Sequence, residues 1–151
     1  MSEQENIKIA RQYTENLSKH TNDANRTLLA DDVRTDASGE RQAMNKDQTL
    51  MYNERFLSAF PDLHFDVKDI IAQGDHVVTT WVASGTHTKP LSLPGGGSLP
   101  ATNRKASVPG VTVATIRNNK ITHQMITWDQ VSFLMQLGLM TEQDLMAMAR
   151  R

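Results

Sequence analysis

The chain predicts an α+β domain in which a curved antiparallel sheet wraps around N-terminal helices. Two observations carry this expectation. Helical periodicity fills roughly the first sixty residues, and alternating segments split by tight turns then run to Trp128, where a helical pattern returns. Helices over the concave side of such a sheet leave a conical pocket, mainly apolar with a few polar groups inside.

Ser2 and Glu5 have capping-box spacing, and Ile7, Ala10, Tyr13, Thr14 and Leu17 share one helical face, predicting a helix over about residues 3–19. A short helix is expected around Ala24 to Leu29, then a short strand at Val33-Arg34-Thr35 and a turn or loop at Ala37 to Glu40. Asn45 with Gln48 opens a third helix, which carries Leu50, Tyr52, Asn53, Phe56, Leu57 and Phe60 and stops at Pro61. Leu63, Phe65 and Val67 then alternate until Ile70 and Ile71 break the phase, a slip that predicts a β-bulge.

Gly74-Asp75 reads as a hairpin turn into a long strand reaching about Thr88. Lys89 to Lys105, with three prolines and Gly95-Gly96-Gly97, reads as one long loop, a flexible lid over the pocket. Two further strands flank Asn118-Asn119, a pair that tolerates the positive φ of a tight turn. A two-residue turn there sets Ala114 opposite His123, Thr112 opposite Met125, Gly110 opposite Thr127 and Val108 opposite Asp129. One sheet face would then carry His123, Met125, Thr127 and Asp129. A helix from Asp129 to about Leu137, a stop at Gly138 and a last helical turn or two after Thr141 complete the chain.

A length of 151 residues suits one domain, with 139–151 as a C-terminal helical tail. A formal charge of -1, without a basic stripe interleaved with aromatics, argues against nucleic-acid partners. The absence of cysteine removes disulfides, thiolate nucleophiles and sulfur-ligated metals. No apolar run is long enough to span a membrane, and the polar, acidic start is unlike a secretory signal, so a soluble cytoplasmic protein is expected. The histidines, His20, His64, His76, His87 and His123, show no helical ligand pair, so no metal site is expected.

Phe60-Pro61-Asp62 closing a helix, Gly85-Thr86-His87-Thr88 ending a strand, Gly110-Val111-Thr112, Lys120-Ile121, Trp128-Asp129 and Gln136-Leu137-Gly138 occur in one order. That ordered set resembles the SnoaL-like polyketide cyclases, also called predicted ester cyclases, over roughly Glu5 to Gly138. The resemblance implies the cone-shaped α+β barrel of the nuclear transport factor 2-like superfamily. It further implies a cofactor-free enzyme that closes a ring by intramolecular aldol condensation on a polyketide ester, with an aspartate as acid-base catalyst at Asp129. The chain departs from the family pattern at His123 and Met125, where an acidic residue and an aromatic are usual, and at Ala101-Thr102-Asn103-Arg104, where Pro-Thr-Gly-Arg is usual.

Asp129 is then either a helix N-cap or a general base, and it serves as both only if one oxygen stays free. His87 is either a hydrogen-bond donor to a substrate carbonyl or enolate, or a strand-end histidine bonded to backbone. His123, about 20 Å along an extended strand from Asp129 at roughly 3.3 Å per residue, is too distant to be its direct partner. Tyr52, Phe56, Trp81, Thr112, Met125, Thr127 and Trp128 are the candidate pocket residues. Met135, Met140, Met146 and Met148 suit a ligand cavity or a subunit interface, and with the resemblance they point to a homodimer. The rival to an enzyme is a protein that holds a small apolar ligand without turning it over; an isomerase or epoxide hydrolase on the same fold would need a second acid-base group near Asp129.

Overall fold

The computed structural model describes residues 2–150; Met1 and Arg151, the last residue of the expected tail, lie outside the described residues. Helix α1 (Glu3–Ser18) leads through a 3₁₀ turn (Asn22–Thr27) into strand β1 (Leu29–Ala37) and helix α2 (Lys46–Ala59). Strands β2 (His64–Gln73), β3 (His76–Thr86), the short pair β4 (Leu91–Ser92) and β5 (Ser98–Leu99), β6 (Lys105–Arg117) and β7 (Lys120–Trp128) follow. Helices α3 (Gln130–Gln136) and α4 (Glu142–Ala149) end the chain. The main sheet has the order β1-β7-β6-β3-β2, antiparallel throughout except for β1 beside β7. Its edges do not meet, so the cone is open.

The helix ends follow the local signals. Ser2 Oγ accepts the Glu5 amide at 3.0 Å, and Asn45 and Gln48 close a reciprocal capping box at 2.9 Å each way. Asn118 and Asn119 hold φ of 52° and 62°, the left-handed pair that a two-residue hairpin of matching twist requires. The bulge in β2 falls at Lys68, between the Val67 and Asp69 pairings, so Phe65, Val67, Ile70 and Ala72 face inward while Ile71 is exposed.

Four expectations need correction. The second helix is a 3₁₀ turn that starts and ends earlier than expected, and β1 extends well beyond Val33-Arg34-Thr35, because lateral pairing with β7 supplies the hydrogen bonds that its polar sequence does not advertise. The long loop contains the β4–β5 hairpin, anchored by buried Leu91, with the glycines at its tip. The fourth correction moves the site. Thr115 pairs with His123 but Ile116 pairs with Ile121, so Thr122 is an extra residue that bulges from β7. Beyond that bulge Thr112 faces Ile126, Ala114 faces Gln124 and Gly110 faces Trp128. Because side chains alternate, this one-residue slip turns Met125 and Thr127 to the outer face and brings Gln124, Ile126 and Trp128 inward.

Candidate functional site

The concave side of the sheet, with α1, α2 and α3 across it, encloses a cavity of about 110 Å³. Helix α1 contributes Ala10, Tyr13, Thr14 and Leu17; α2 contributes Tyr52, Asn53, Phe56 and Leu57; and α3 contributes Phe133. The strands supply Phe65, Trp81, Thr112, Ile126 and Trp128, among others. Aromatic rings meet edge to face around it, Phe56 with Tyr52 at 5.2 Å and with Trp128 at 5.6 Å, and Trp128 with Phe133 at 5.2 Å. Among the described residues, none that lines the cavity is ionisable apart from two tyrosines. The cavity wall therefore offers shape and hydrogen bonding rather than charge.

Its polar groups form two stations. At the first, the Tyr13 hydroxyl accepts from Asn53 Nδ2 at 2.8 Å and from Gln124 Nε2 at 3.3 Å. Asn53 also donates to Asn22 Oδ1 at 3.1 Å, and Gln124 to Thr35 Oγ1 at 3.3 Å, so this station is tied into a buried amide and hydroxyl network. Burial raises the Tyr13 pKa, the hydrogen bonds from Gln124 and Asn53 oppose it, and the phenol stays neutral. At the second station the Tyr52 hydroxyl accepts from Trp128 Nε1 at 3.0 Å. Trp81 Nε1 is spent on Thr112 Oγ1, also at 3.0 Å.

Of the residues expected in the pocket, Tyr52, Phe56, Trp81, Thr112 and Trp128 line it. Met125, 46% exposed, and Thr127 lie on the outer face, as the Thr122 bulge dictates. Asp129 is an N-cap: its Oδ1 accepts the Ser132 amide at 2.9 Å, and the residue is exposed and outside the cavity wall. Its other oxygen has no partner among the described residues, and the neighbouring Trp128 and the α3 residue Phe133 both line the cavity. Asp129 thus sits beside the cavity rather than within it.

His87 is behind the wall. It is fully buried and stacks on Phe60 at 5.1 Å, with Phe60 standing between it and the cavity. Its Nδ1 accepts the Thr102 amide at 3.3 Å and lies 3.1 Å from Thr102 Oγ1, which places the proton on Nε2, an atom with no hydrogen-bond partner among the described residues. The expected role of donor to a substrate carbonyl has no path through Phe60; the imidazole instead pins the loop carrying Thr102 to the end of β3.

Burial lowers the His87 pKa below its ordinary 6.5, opposed by a backbone interaction at Lys89. The unfolded chain therefore binds this proton first, so the contribution is intact above about pH 6.5 and declines as pH falls toward the folded value. Thermal denaturation should show a stability loss below about pH 6.5 that is reduced in His87→Gln. An unchanged acid limb in the variant would exclude His87 as its source.

Tyr13, Asn53 and Gln124 were missed as a group. Tyr13 and Asn53 were visible on helix faces, but the unbulged register pointed Gln124 outward. Arg55 and Glu40 form an ion pair with both side chains mostly buried, and the Arg55 guanidinium lies 5.5 Å from the Tyr52 ring centroid. His123 Nε2 meets Asp36 Oδ2 at 2.9 Å across the β7–β1 pairing, a contact outside the cavity wall. Among the described residues no cluster of metal-ligating side chains occurs, and no helix is long and apolar enough to cross a membrane.

A five-stranded open cone around an apolar, aromatic-walled cavity defines a nuclear transport factor 2-like fold. Residues 7–137 match the sequence profile of the SnoaL-like polyketide cyclases, and the chain belongs to that family. No curated protein sequence matches it. Among solved structures it is similar to a protein described as a SnoaL-like polyketide cyclase from Jannaschia sp. CCS1, with TM-score 0.79, 19% identity, and 92% of this chain and 95% of that one covered. AclR from Streptomyces galilaeus, described as a hydroxylase, has TM-score 0.79 and 18% identity, with 93% and 100% covered. IdmH from Streptomyces antibioticus, described as a polyketide cyclase, has TM-score 0.74 and 24% identity, with 88% and 98% covered. These likenesses show the fold.

Proposed function

We propose that the protein takes a carbonyl-rich, polyketide-like small molecule into the cone and closes a ring in it without a cofactor, with Asp129 as acid-base group. The free Asp129 oxygen beside a cavity walled by Trp128 and Phe133 carries this reading. The interior suits one ring, so a larger substrate would extend past those aromatics toward Asp129. The carboxylate removes a proton from a carbon between two carbonyls; the resulting enolate carbon attacks a carbonyl carbon of the same molecule. A carbon–carbon bond forms, and the proton passes to the new alkoxide. A screen of polyketide-like esters against wild type and Asp129→Asn tests this: turnover lost in the variant supports it, and equal turnover in both overturns it.

The second reading is a non-catalytic binder of a small apolar ligand, favoured by the absence of any carboxylate or imidazole in the cavity wall among the described residues. Its signature is ligand-induced thermal stabilisation without turnover in either protein.

A homodimer is part of the proposal. The outer sheet face exposes Val111 and Met125 side by side with Thr127, and α4 buries none of its own residues, leaving Met146 and Met148 exposed. Sedimentation velocity is expected to show a dimer that Met125→Glu converts to monomer; a monomeric wild type would dismiss self-association.

A further inference from the structure

Tyr52 is buried in the cavity wall, and its hydroxyl is already an acceptor for Trp128 Nε1 at 3.0 Å. A phenol has one proton to give, and among the described residues nothing accepts it. The indole occupies the side toward Trp128, so the unused proton is left for an acceptor in the cavity. Leaving a buried donor unmatched is unfavourable, which makes the vacancy a recognition element for a ligand oxygen.

The electrostatic surroundings keep it a donor. Burial holds the Tyr52 pKa up, at about 12, with Trp128 opposing, Glu40 adding to the rise and Arg55 lowering it. The phenol is therefore protonated at any ordinary working pH. Arg55 also lies over the ring face, 5.5 Å from its centroid, where the guanidinium packs against the π system and helps hold the ring in place.

We infer that Tyr52, oriented by Trp128, donates its hydroxyl proton in a hydrogen bond to a carbonyl oxygen of the bound molecule, so that the cavity selects ketone-bearing ligands over hydrocarbons of the same shape. This rests on the cavity being the ligand site, as proposed above, but not on turnover. During enolate formation the same bond would meet the oxygen on which charge develops, making Tyr52 the electrostatic partner of Asp129.

Acetophenone and ethylbenzene, which differ chiefly in the carbonyl, are the probes. Calorimetric titration of wild type should show preference for acetophenone, and Tyr52→Phe should reduce that preference roughly three- to tenfold while leaving ethylbenzene affinity unchanged. Asp129→Asn should keep the wild-type preference, which separates this inference from the assignment of the base. The carbonyl infrared band of isotope-labelled acetophenone is expected at lower frequency in wild type than in Tyr52→Phe, with a smaller shift in Trp128→Phe. Should Tyr52→Phe fail to fold, the wild-type and Trp128→Phe bands decide the matter. Equal ketone preference in wild type and Tyr52→Phe, no binding of either probe, or an unshifted wild-type band overturns the inference; loss of preference in Tyr52→Phe together with absent turnover would retain it and remove only the cyclase reading.

Discussion

Asparagine in place of Asp129 is expected to abolish most turnover while leaving the protein as stable as the wild type. The two roles of this side chain separate because they use different properties. The cap needs an acceptor oxygen for the Ser132 amide, and asparagine supplies one as well as aspartate does. Stability should thus stay within about 0.5 kcal/mol. The base needs a carboxylate that can take a proton, which an amide cannot do, and a positioned base is worth about 10²- to 10⁴-fold in rate. Asp129→Ala should lose both, adding a destabilisation of about 1 kcal/mol from the missing cap. Thermal denaturation alongside single-turnover kinetics resolves the pair. Turnover near that of wild type in Asp129→Asn would show that Asp129 acts as structure alone, and a large stability loss would show that asparagine does not replace it as the cap.

Valine at position 110 is expected to be among the most disruptive single changes to the cavity. Gly110 pairs with Trp81 across β6 and β3, and a β-carbon built there would lie 2.2 to 2.6 Å from three atoms of the indole ring. Real contacts are never that short, so the ring has to move. Leaving its place costs the Trp81 Nε1 hydrogen bond to Thr112 and the 5.1 Å edge contact with Phe65. Overpacking of this kind costs about 1 to 3 kcal/mol, and a domain of this size loses roughly 2 to 4 °C of Tm for each. The displaced indole would also intrude on the space that Trp81 now borders. Gly110→Val should therefore melt several degrees lower and lose acetophenone binding, whereas Trp81→Leu in the same chain should restore part of the stability through non-additivity. Wild-type Tm and binding in Gly110→Val would mean that the sheet relaxes around the new side chain.

The contrast between Asn118-Asn119 and Thr122 shows where legibility in the sequence ended. The turn was readable because two adjacent asparagines satisfy a positive-φ requirement that is purely local. The bulge four residues on from Asn118 was not, because its origin lies in how β7 meets both β6 and β1, and that pairing is set by packing across the sheet. A one-residue error in register then exchanged the inward and outward sets, replacing Gln124 and Ile126 with Met125 and Thr127 in the expected pocket. The same limit applied to His87. Its motif was plain, yet whether it faced a ligand or the back of Phe60 depended on a stacking contact between distant segments.

The sequence by itself determined the α+β class, the principal helix starts at Ser2, Asn45, Asp129 and Thr141, the presence of a bulge ahead of Ile70 and Ile71, and membership of the SnoaL-like family, because caps, turns and periodicity act over a few residues and ordered motifs survive in the chain. Tertiary structure alone decided which residues meet in the cavity: that Trp128 Nε1 donates to the Tyr52 hydroxyl, that Gln124 and Asn53 converge on Tyr13, and that Asp129 stands outside the wall. These contacts join residues far apart in the chain, and their geometry follows from strand register and sheet curvature, quantities that no local window of sequence contains.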